Sequence, residues 1–498
     1  MPSKSVAFRA LLALILMVGF YVFALAIAGI LIYIPYAEVA YAHRLHGKIA
    51  LFCVGGALII LWSLVPRVEK FIPPGPRLNP SEHPELFREL NDIAGKVGQA
   101  MPSEVFLVSD VNAWVGQRGG IMGMGSRRIM GLGLPLLQIL NISELRAVLA
   151  HEFGHYYGGD TKLGPWIYKT RAAIGRTLKG LAGHSSFLQK PFMAYGKMFL
   201  RITHAVSRAQ EYSADGLAAR TVGAKHLISG LEKVHGAGMA FQSYWGNEVV
   251  PVLNSGFIPG MAEGFSTYLK ASPVEGAVSA FIKKEKEDSG KNPYDTHPPL
   301  GQRISALSQY PGFEESRDEN ASLTLLNHIS QLETELLVSL GGEERVKGLK
   351  PISWARVGEM VYLPLWEALV TKHEEDMRGI TPDMLPVTLD ALKVFAQKLV
   401  ETAGGEFQFE QGFHYAQSVV GAALAIIFYD RGWRLQVDPG EDVLLNKGSQ
   451  CIRPFSVLGR LHSGELSARD WEVQCSEAGI NGMKLGDVRL GKRENVQC

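Results

Sequence analysis

Cysteine is scarce, with only Cys53, Cys451, Cys475 and Cys498 in 498 residues. They are scattered, without metal-ligand spacing and without a disulfide framework. That excludes a disulfide-built secreted domain and points to a reducing compartment. A surplus of either charge is also missing, with 50 basic against 49 acidic residues. The overall balance therefore gives no reason to expect nucleic acid as a partner. Charge is absent altogether from residues 10–37 and again from 49–66. A helix through the hydrocarbon core of a bilayer needs about 20 such residues. The first run is long for the apolar part of a signal peptide, and the second follows closely. Together they read as a transmembrane hairpin with spans at about 10–34 and 49–66.

Charges flanking the runs set the orientation. Lys4 and Arg9 precede the first span, and Arg67, Lys70 and Arg77 follow the second, against Arg44 and Lys48 between them. The bias places both ends in the cytoplasm. The expectation is a multi-pass integral membrane protein, of the plasma or inner membrane if bacterial, with everything after residue 67 cytoplasmic. The chain is also too long for one core. It divides into a hairpin at 1–72, a domain at 73–315 and a C-terminal region at 316–498.

Pro73-Pro74-Gly75-Pro76 marks the exit from the membrane region. Leu86, Leu90, Ile93 and Val97 then recur at helical spacing, Val105–Val108 reads as a strand, and Arg128–Leu137 as another. Next comes His151-Glu152-Phe153-Gly154-His155. Asn141 and Glu144 form a capping-box start, Leu145, Val148 and Leu149 an apolar stripe, and Gly158-Gly159 a stop, so the motif lies on a helix. His151 and His155 then project from one face a turn apart and can share one metal ion. Glu152 is placed to act on water rather than to bind the metal. Zinc suits imidazole and carboxylate ligands with one position left for water.

A third ligand is still required. Glu211 and Asp215 lie four apart, on one face of a second helix. Glu211 can ligate, while Asp215 accepts the far N–H of a ligating imidazole. Downstream, Thr296-His297-Pro298-Pro299 offers His297 as a donor to the oxyanion of a tetrahedral intermediate or as a group that orients substrate; the plain alternative is a rigid turn.

Asn112-Ala113, His-Glu-Phe-Gly-His with Asp160, Glu211-Tyr-Ser-Ala-Asp215 and Asp295-Thr-His297-Pro-Pro-Leu-Gly-Gln-Arg303 occur in that order. In this the chain resembles the membrane-anchored zinc metallopeptidases of the HtpX and CAAX-prenyl-protease superfamily, over about residues 75–310. The resemblance implies a gluzincin fold with one Zn2+ held by His151, His155 and Glu211 and with Glu152 as general base. Asp215 and Asp160 would stand behind the ligands. Substrate backbone could pair with an edge strand near Asn112 to Gly125.

Residues 166–205 read as helical but carry Lys169, Arg171, Arg176 and Lys179 among others. A span there would bury charge, so the region reads as soluble or lying on the membrane surface. In the last third, Leu323–Leu340 is an amphipathic helix and Ser418–Tyr429 a buried one, with no catalytic constellation. The fold class is mainly α with a small β-sheet (an α+β zincin-like domain), behind a two-helix hairpin and before a mostly helical C-terminal region. The function expected is a zinc-dependent endopeptidase acting on membrane or membrane-proximal proteins, with protein or peptide substrates and the lipid bilayer as partners. The alternatives are processing of lipidated C-termini, and an inactive zinc-stabilised membrane scaffold.

Overall fold

The computed structural model describes residues 4–67, 71–118, 127–157, 160–288, 290, 292–312, 318–388, 392–404 and 408–487, with the side chains of 4–10, 157, 160–165, 392–393 and 409 left out. The chain forms two compact units, Met1–Gly238 with Val278–Gly342, and Met239–Ala277 with Glu343–Cys498.

In the first unit, α1 (Lys4–Ala42) continues through Pro35 and past the expected end of the first span, and α2 (Gly47–Leu64) follows. Both are long and apolar enough to cross a membrane. A short strand β1 (Arg77–Leu78) precedes α3 (Pro84–Lys96), which buries Leu86, Leu90, Ile93 and Val97 as their spacing predicts. Strands β2 (Glu104–Val108), β3 (Ala113–Arg118) and β4 (Arg127–Gly133) complete a sheet of order β1-β2-β4-β3, so β3 is an edge. The strand expected to run to Leu137 stops at Gly133. Pro135 in the first turn of α4 (Leu134–Ile139) starts a helix there instead. A Cβ on Gly131 would lie 2.3 Å from Trp114 Cε2, so only glycine lets that indole cover the sheet.

The motif helix α5 (Ile142–Tyr157) begins with the expected box: Asn141 N–H donates to Glu144 Oε2 (2.9 Å) and Glu144 N–H to Asn141 Oδ1 (2.8 Å). Its expected stop, Gly158-Gly159, lies outside the described residues. Arg146 clamps α5 to α3 through Nε to Glu89 Oε2 (2.7 Å) and Nη2 to Glu89 Oε1 (3.0 Å). The Tyr156 hydroxyl reaches the carbonyls of Gly116 (3.1 Å) and Ile129 (3.2 Å), fixing α5 along the sheet edge.

Then come α6 (Asp160–Ala182), α7 (Ser186–Thr221) and α8 (Ala224–Tyr244). The basic interval does not stand apart from the apolar hairpin. Helices α6 and α7 pack lengthwise on α1 and α2 around Phe20, Ile60, Leu181, Phe192 and Phe199, all fully buried. The reason is spacing: the charges sit on the outer faces and leave an apolar stripe inward. Residues 318–342 also belong to this unit. Ile142 N–H donates to Asn320 O and Ser143 N–H to Asp318 O, and Asn327 bonds Glu82 O.

The second unit is built around the helix Phe409–Asp430, in which Val419, Val420 and Ala422 to Phe428 are 0–1% exposed. Of its apolar window 67% is covered by protein, against 33% in α1 and 28% in α2, which fits a core helix. A Cβ on Gly421 would meet the Phe455 ring at 2.4 Å. Residues 239–277, expected in the peptidase domain, pack here because the strand Phe257–Pro259 pairs in parallel with Lys350–Ile352. The region expected to hold short strands forms an antiparallel sheet of Arg434–Gln436, Leu444–Lys447 and Gln450–Ile452.

Removing one partner of the Arg146–Glu89 clamp leaves a charge stranded in a largely buried place, which costs about 3–5 kcal/mol. Arg146→Ala should lower the unfolding free energy of the detergent-solubilised protein by about that amount, whereas the exposed Arg88→Ala should change it by less than about 0.5 kcal/mol. Denaturant titration reads both.

Candidate metal centre

The motif side chains leave α5 on the face that meets α7. His151 is 6% exposed, and its ring lies 4.9 Å from that of His155 at an interplanar angle of 89°. Ligand atoms of His151, Glu152 and His155 lie within 4.8 Å of one another. From α7, Glu211 brings Oε2 to 3.5 Å from His151 Nε2 and Oε1 to 3.6 Å from His155 Nε2. Two ligands about 2.1 Å from one tetrahedral zinc stand about 3.4 Å apart, so these separations leave room for the ion between the side chains. Glu211 Oε2 is buried and accepts no hydrogen bond from any described residue. A buried carboxylate oxygen without a donor, facing two imidazole nitrogens, suits a cation. The donor set of two nitrogens and a carboxylate fits zinc.

The two helices can meet because of Gly154. A Cβ there would lie 2.9 Å from Ala214 Cα and 3.0 Å from Ala214 Cβ, so the backbones touch between the two ligand pairs. Behind His151, its Nδ1–H donates to Asp215 Oδ1 (2.9 Å), which leaves Nε2 as the nitrogen that faces Glu211. Asp215, 2% exposed, is gripped in turn by Arg303 from the helix Leu300–Leu307, with Nε to Oδ2 at 2.9 Å and Nη2 to Oδ1 at 2.6 Å. Arg303 Nη1 also stands 3.4 Å from Glu211 Oε2.

Charges inside this small space set the proton affinities. Burial disfavours the His151 cation, but the Asp215 carboxylate bonded to its ring and the Glu211 carboxylate facing it outweigh that and raise the imidazole to about 9. The same carboxylates therefore favour a positive charge between the imidazoles. Burial pushes Glu211 upward, yet His151, His297 and Arg303 hold it far below the ordinary carboxylate range. Glu152 moves the other way: desolvation raises it above the usual value, against the pull of His151 and His155. A carboxylate raised in this sense is the better proton acceptor and donor near neutrality.

His297 stands at the mouth, its side chain 65% exposed, with Nδ1 3.1 Å from Glu211 Oε1. Asn112 is exposed just before the edge strand β3, and its carbonyl accepts from Gly133 N–H. Most of the glycine-rich stretch after β3, residues 119–126, lies outside the described residues, as does the Asp160 side chain. Sequence reasoning gave no role to Arg303, Gly154 or Tyr156. Arg303 ends the Asp295–Arg303 motif, but its carboxylate partner is 88 residues away, and only the fold joins them.

Residues 80–310 match the profile of Peptidase family M48. The chain is 28% identical over 281 residues to Protease HtpX of Idiomarina loihiensis, a stretch that covers 52% of this chain and 84% of that protein. It is 27% identical over 256 residues to the Protease HtpX homolog of Thermoplasma volcanium, covering 47% and 78%. To Protease HtpX of Yersinia pestis it is 25% identical over 288 residues, covering 52% and 84%. No solved structure matches.

Two substitutions test the geometry. Asp215→Asn removes the charge behind His151 and should weaken zinc retention about 10–100-fold, as measured by competition with a chromogenic chelator. Gly154→Val should drive α5 and α7 apart and lower zinc retention as well, with helix content by circular dichroism unchanged.

Proposed function

We propose, from the match of residues 80–310 to Peptidase family M48, that the chain is a zinc-dependent endopeptidase cutting membrane or membrane-proximal proteins, as in quality control or processing. The observation that carries this reading is the buried Glu211 carboxylate, whose Oε2 has no hydrogen-bond donor among the described residues and faces His151 Nε2, within reach of His155 and with Glu152 beside them. One zinc would be held by His151, His155 and Glu211. When bound, it supplies Lewis acidity and a lowered pKa for water.

The rest falls to the chain. Glu152 takes a proton from the attacking water on a carboxylate oxygen, holds it there, and passes it to the leaving amine. Its raised proton affinity suits both steps. Asp215 and Arg303 keep the His151 ring in one tautomer and orientation. His297, exposed and tied through Nδ1 to Glu211, stands where it can donate to a developing oxyanion or steady the substrate. The edge strand β3 could take the substrate backbone as an added strand.

Apolar α1 and α2 support the bilayer as a partner, and the flanking lysines and arginines favour the cytoplasmic side for the catalytic unit. Intact Glu152 favours an active enzyme over a zinc-stabilised scaffold, since a purely structural site closes its shell and has no use for a base.

Glu152→Gln should keep one zinc per chain by elemental analysis while casein hydrolysis falls about 100-fold or more. Full hydrolysis by that variant, or hydrolysis by wild type that survives a chelator, rejects the base or the metal. His297→Ala should lower kcat about a hundredfold if it donates to the oxyanion, and a change within about twofold assigns it to the turn alone. Cleavage confined to prenylated C-terminal peptides would favour the processing alternative.

A further inference from the structure

Residues 111–143 hold three arginines, Arg118, Arg127 and Arg128, and no aspartate or glutamate, in a chain whose charges otherwise nearly balance. The sheet gathers all three at one end. Arg118 closes the edge strand β3 and stands directly opposite Arg127, the first residue of β4. Like charges directly opposite on neighbouring strands repel, so this pairing does not stabilise the sheet. Arg77 on β1 adds a fourth guanidinium, within 3.9 Å of the carboxylate that Arg118 holds.

That carboxylate, Glu104, is the one acidic group among the described residues that pairs with any of the four. Its Oε1 lies 2.7 Å from Arg118 Nη2, and its Oε2 is buried without a hydrogen bond to any described residue. Arg128 donates to Gln99 Oε1 and to the Ala100 carbonyl, both at 3.3 Å, and both are neutral. Arg127 is exposed, and the side chains of Arg118 and Arg77 are 28% and 56% exposed. Four guanidinium groups against one carboxylate leave this end of the sheet positive and open to solvent.

The excess lies next to the motif helix. Arg128 sits over the Tyr156 ring, 4.4 Å from its centroid, and Tyr156 directly follows His155. The Tyr156 hydroxyl in turn bonds the Gly116 carbonyl on β3. From Gly116 to Arg118 is a rise of about 7 Å along the strand. A polypeptide paired with β3 rises at the same pitch, so a side chain about two to four residues from a bond held at the metal draws level with Arg118 and Arg127. The other end of β3 has the opposite sign nearby, in the exposed Asp110.

We propose that the arginine end of β3 is a subsite for acidic side chains, so that the protein selects polypeptides carrying aspartate or glutamate a few residues to one side of the scissile bond. The occupant is an extended acidic segment rather than a lipid surface, because the arginines are in register with an edge strand, where backbone pairing aligns a chain with them. The opposite sign at the two ends of β3 makes the selection one-sided. The inference rests on the peptidase reading with substrate added to β3, and its test separates the two.

The full chain, loaded with zinc in a neutral detergent, is given quenched-fluorescent peptides of one sequence in which glutamate replaces glutamine at each place in turn on either side of the cleaved bond. The ratio of kcat/KM, glutamate over glutamine, should reach about two- to fivefold on one side, the worth of half-exposed ion pairs, and stay near one on the other. Added salt should reduce it. Arg127→Gln should bring the ratio towards one, and Arg127→Glu should favour a lysine peptide instead; position 127 is exposed, so neither change disturbs the core. Cleavage of all peptides with a ratio near one throughout, or a ratio that both Arg127 variants leave unchanged, overturns the acidic subsite alone. An unchanged ratio with weaker binding to phosphatidylglycerol vesicles assigns the arginines to lipid and also overturns it. No cleavage of any peptide removes the peptidase reading beneath it.

Discussion

The contact of α5 with α7 at Gly154 and Ala214 is what the catalytic unit depends on. Two imidazoles on one helix cannot hold a catalytic metal alone, and the missing carboxylate arrives from a helix that begins 29 residues after α5 ends. Bringing Glu211 within 3.5 Å of His151 needs the backbones to touch, which a side chain at position 154 would forbid. Everything else keeps that contact in register. The Arg146–Glu89 clamp and the Tyr156 hydroxyl hold α5, and the Asp215–Arg303 fork holds α7 against the helix Leu300–Leu307.

The fork also carries an electrostatic load. Two carboxylates and an arginine, all 4% exposed or less, share one small volume with His151. The arginine neutralises Asp215 and leaves Glu211 negative, so the cavity keeps an unbalanced charge directed at the imidazoles. A buried charge of that kind is tolerated where a cation answers it.

What could be read from the sequence was local. The Asn141–Glu144 box, the apolar face of α3 and the pairing of His151 with His155 are each settled within one or two turns. Glu211 with Asp215 was readable for the same reason, since four residues on a helix share a face. Leu134–Leu137 misled because a short apolar run suits strand and helix alike, and Pro135 decided it. The α6–α7 interval was legible only in part. Its charges were counted, but which side of the helices they occupied decided the outcome. Arg303, Trp114 over Gly131, and the pairing of residues 257–259 with 350–352 needed contacts between distant parts of the chain, which no window of sequence contains.

One consequence concerns reach. Helix α7 is continuous from Ser186 to Thr221, and the same rod that meets α1 at Tyr195 carries Glu211. Sixteen residues separate those two, a rise of about 24 Å. Were a bilayer surface to lie near Tyr195, a rigid strut of that height would set how far from the lipid a scissile bond must lie. An extended polypeptide gains about 3.3 Å per residue. A protein anchored in the same bilayer would then have to offer about seven unfolded residues beyond its own span. The strut would then act as a ruler, sparing tightly folded neighbours and admitting those whose juxtamembrane segment has come loose.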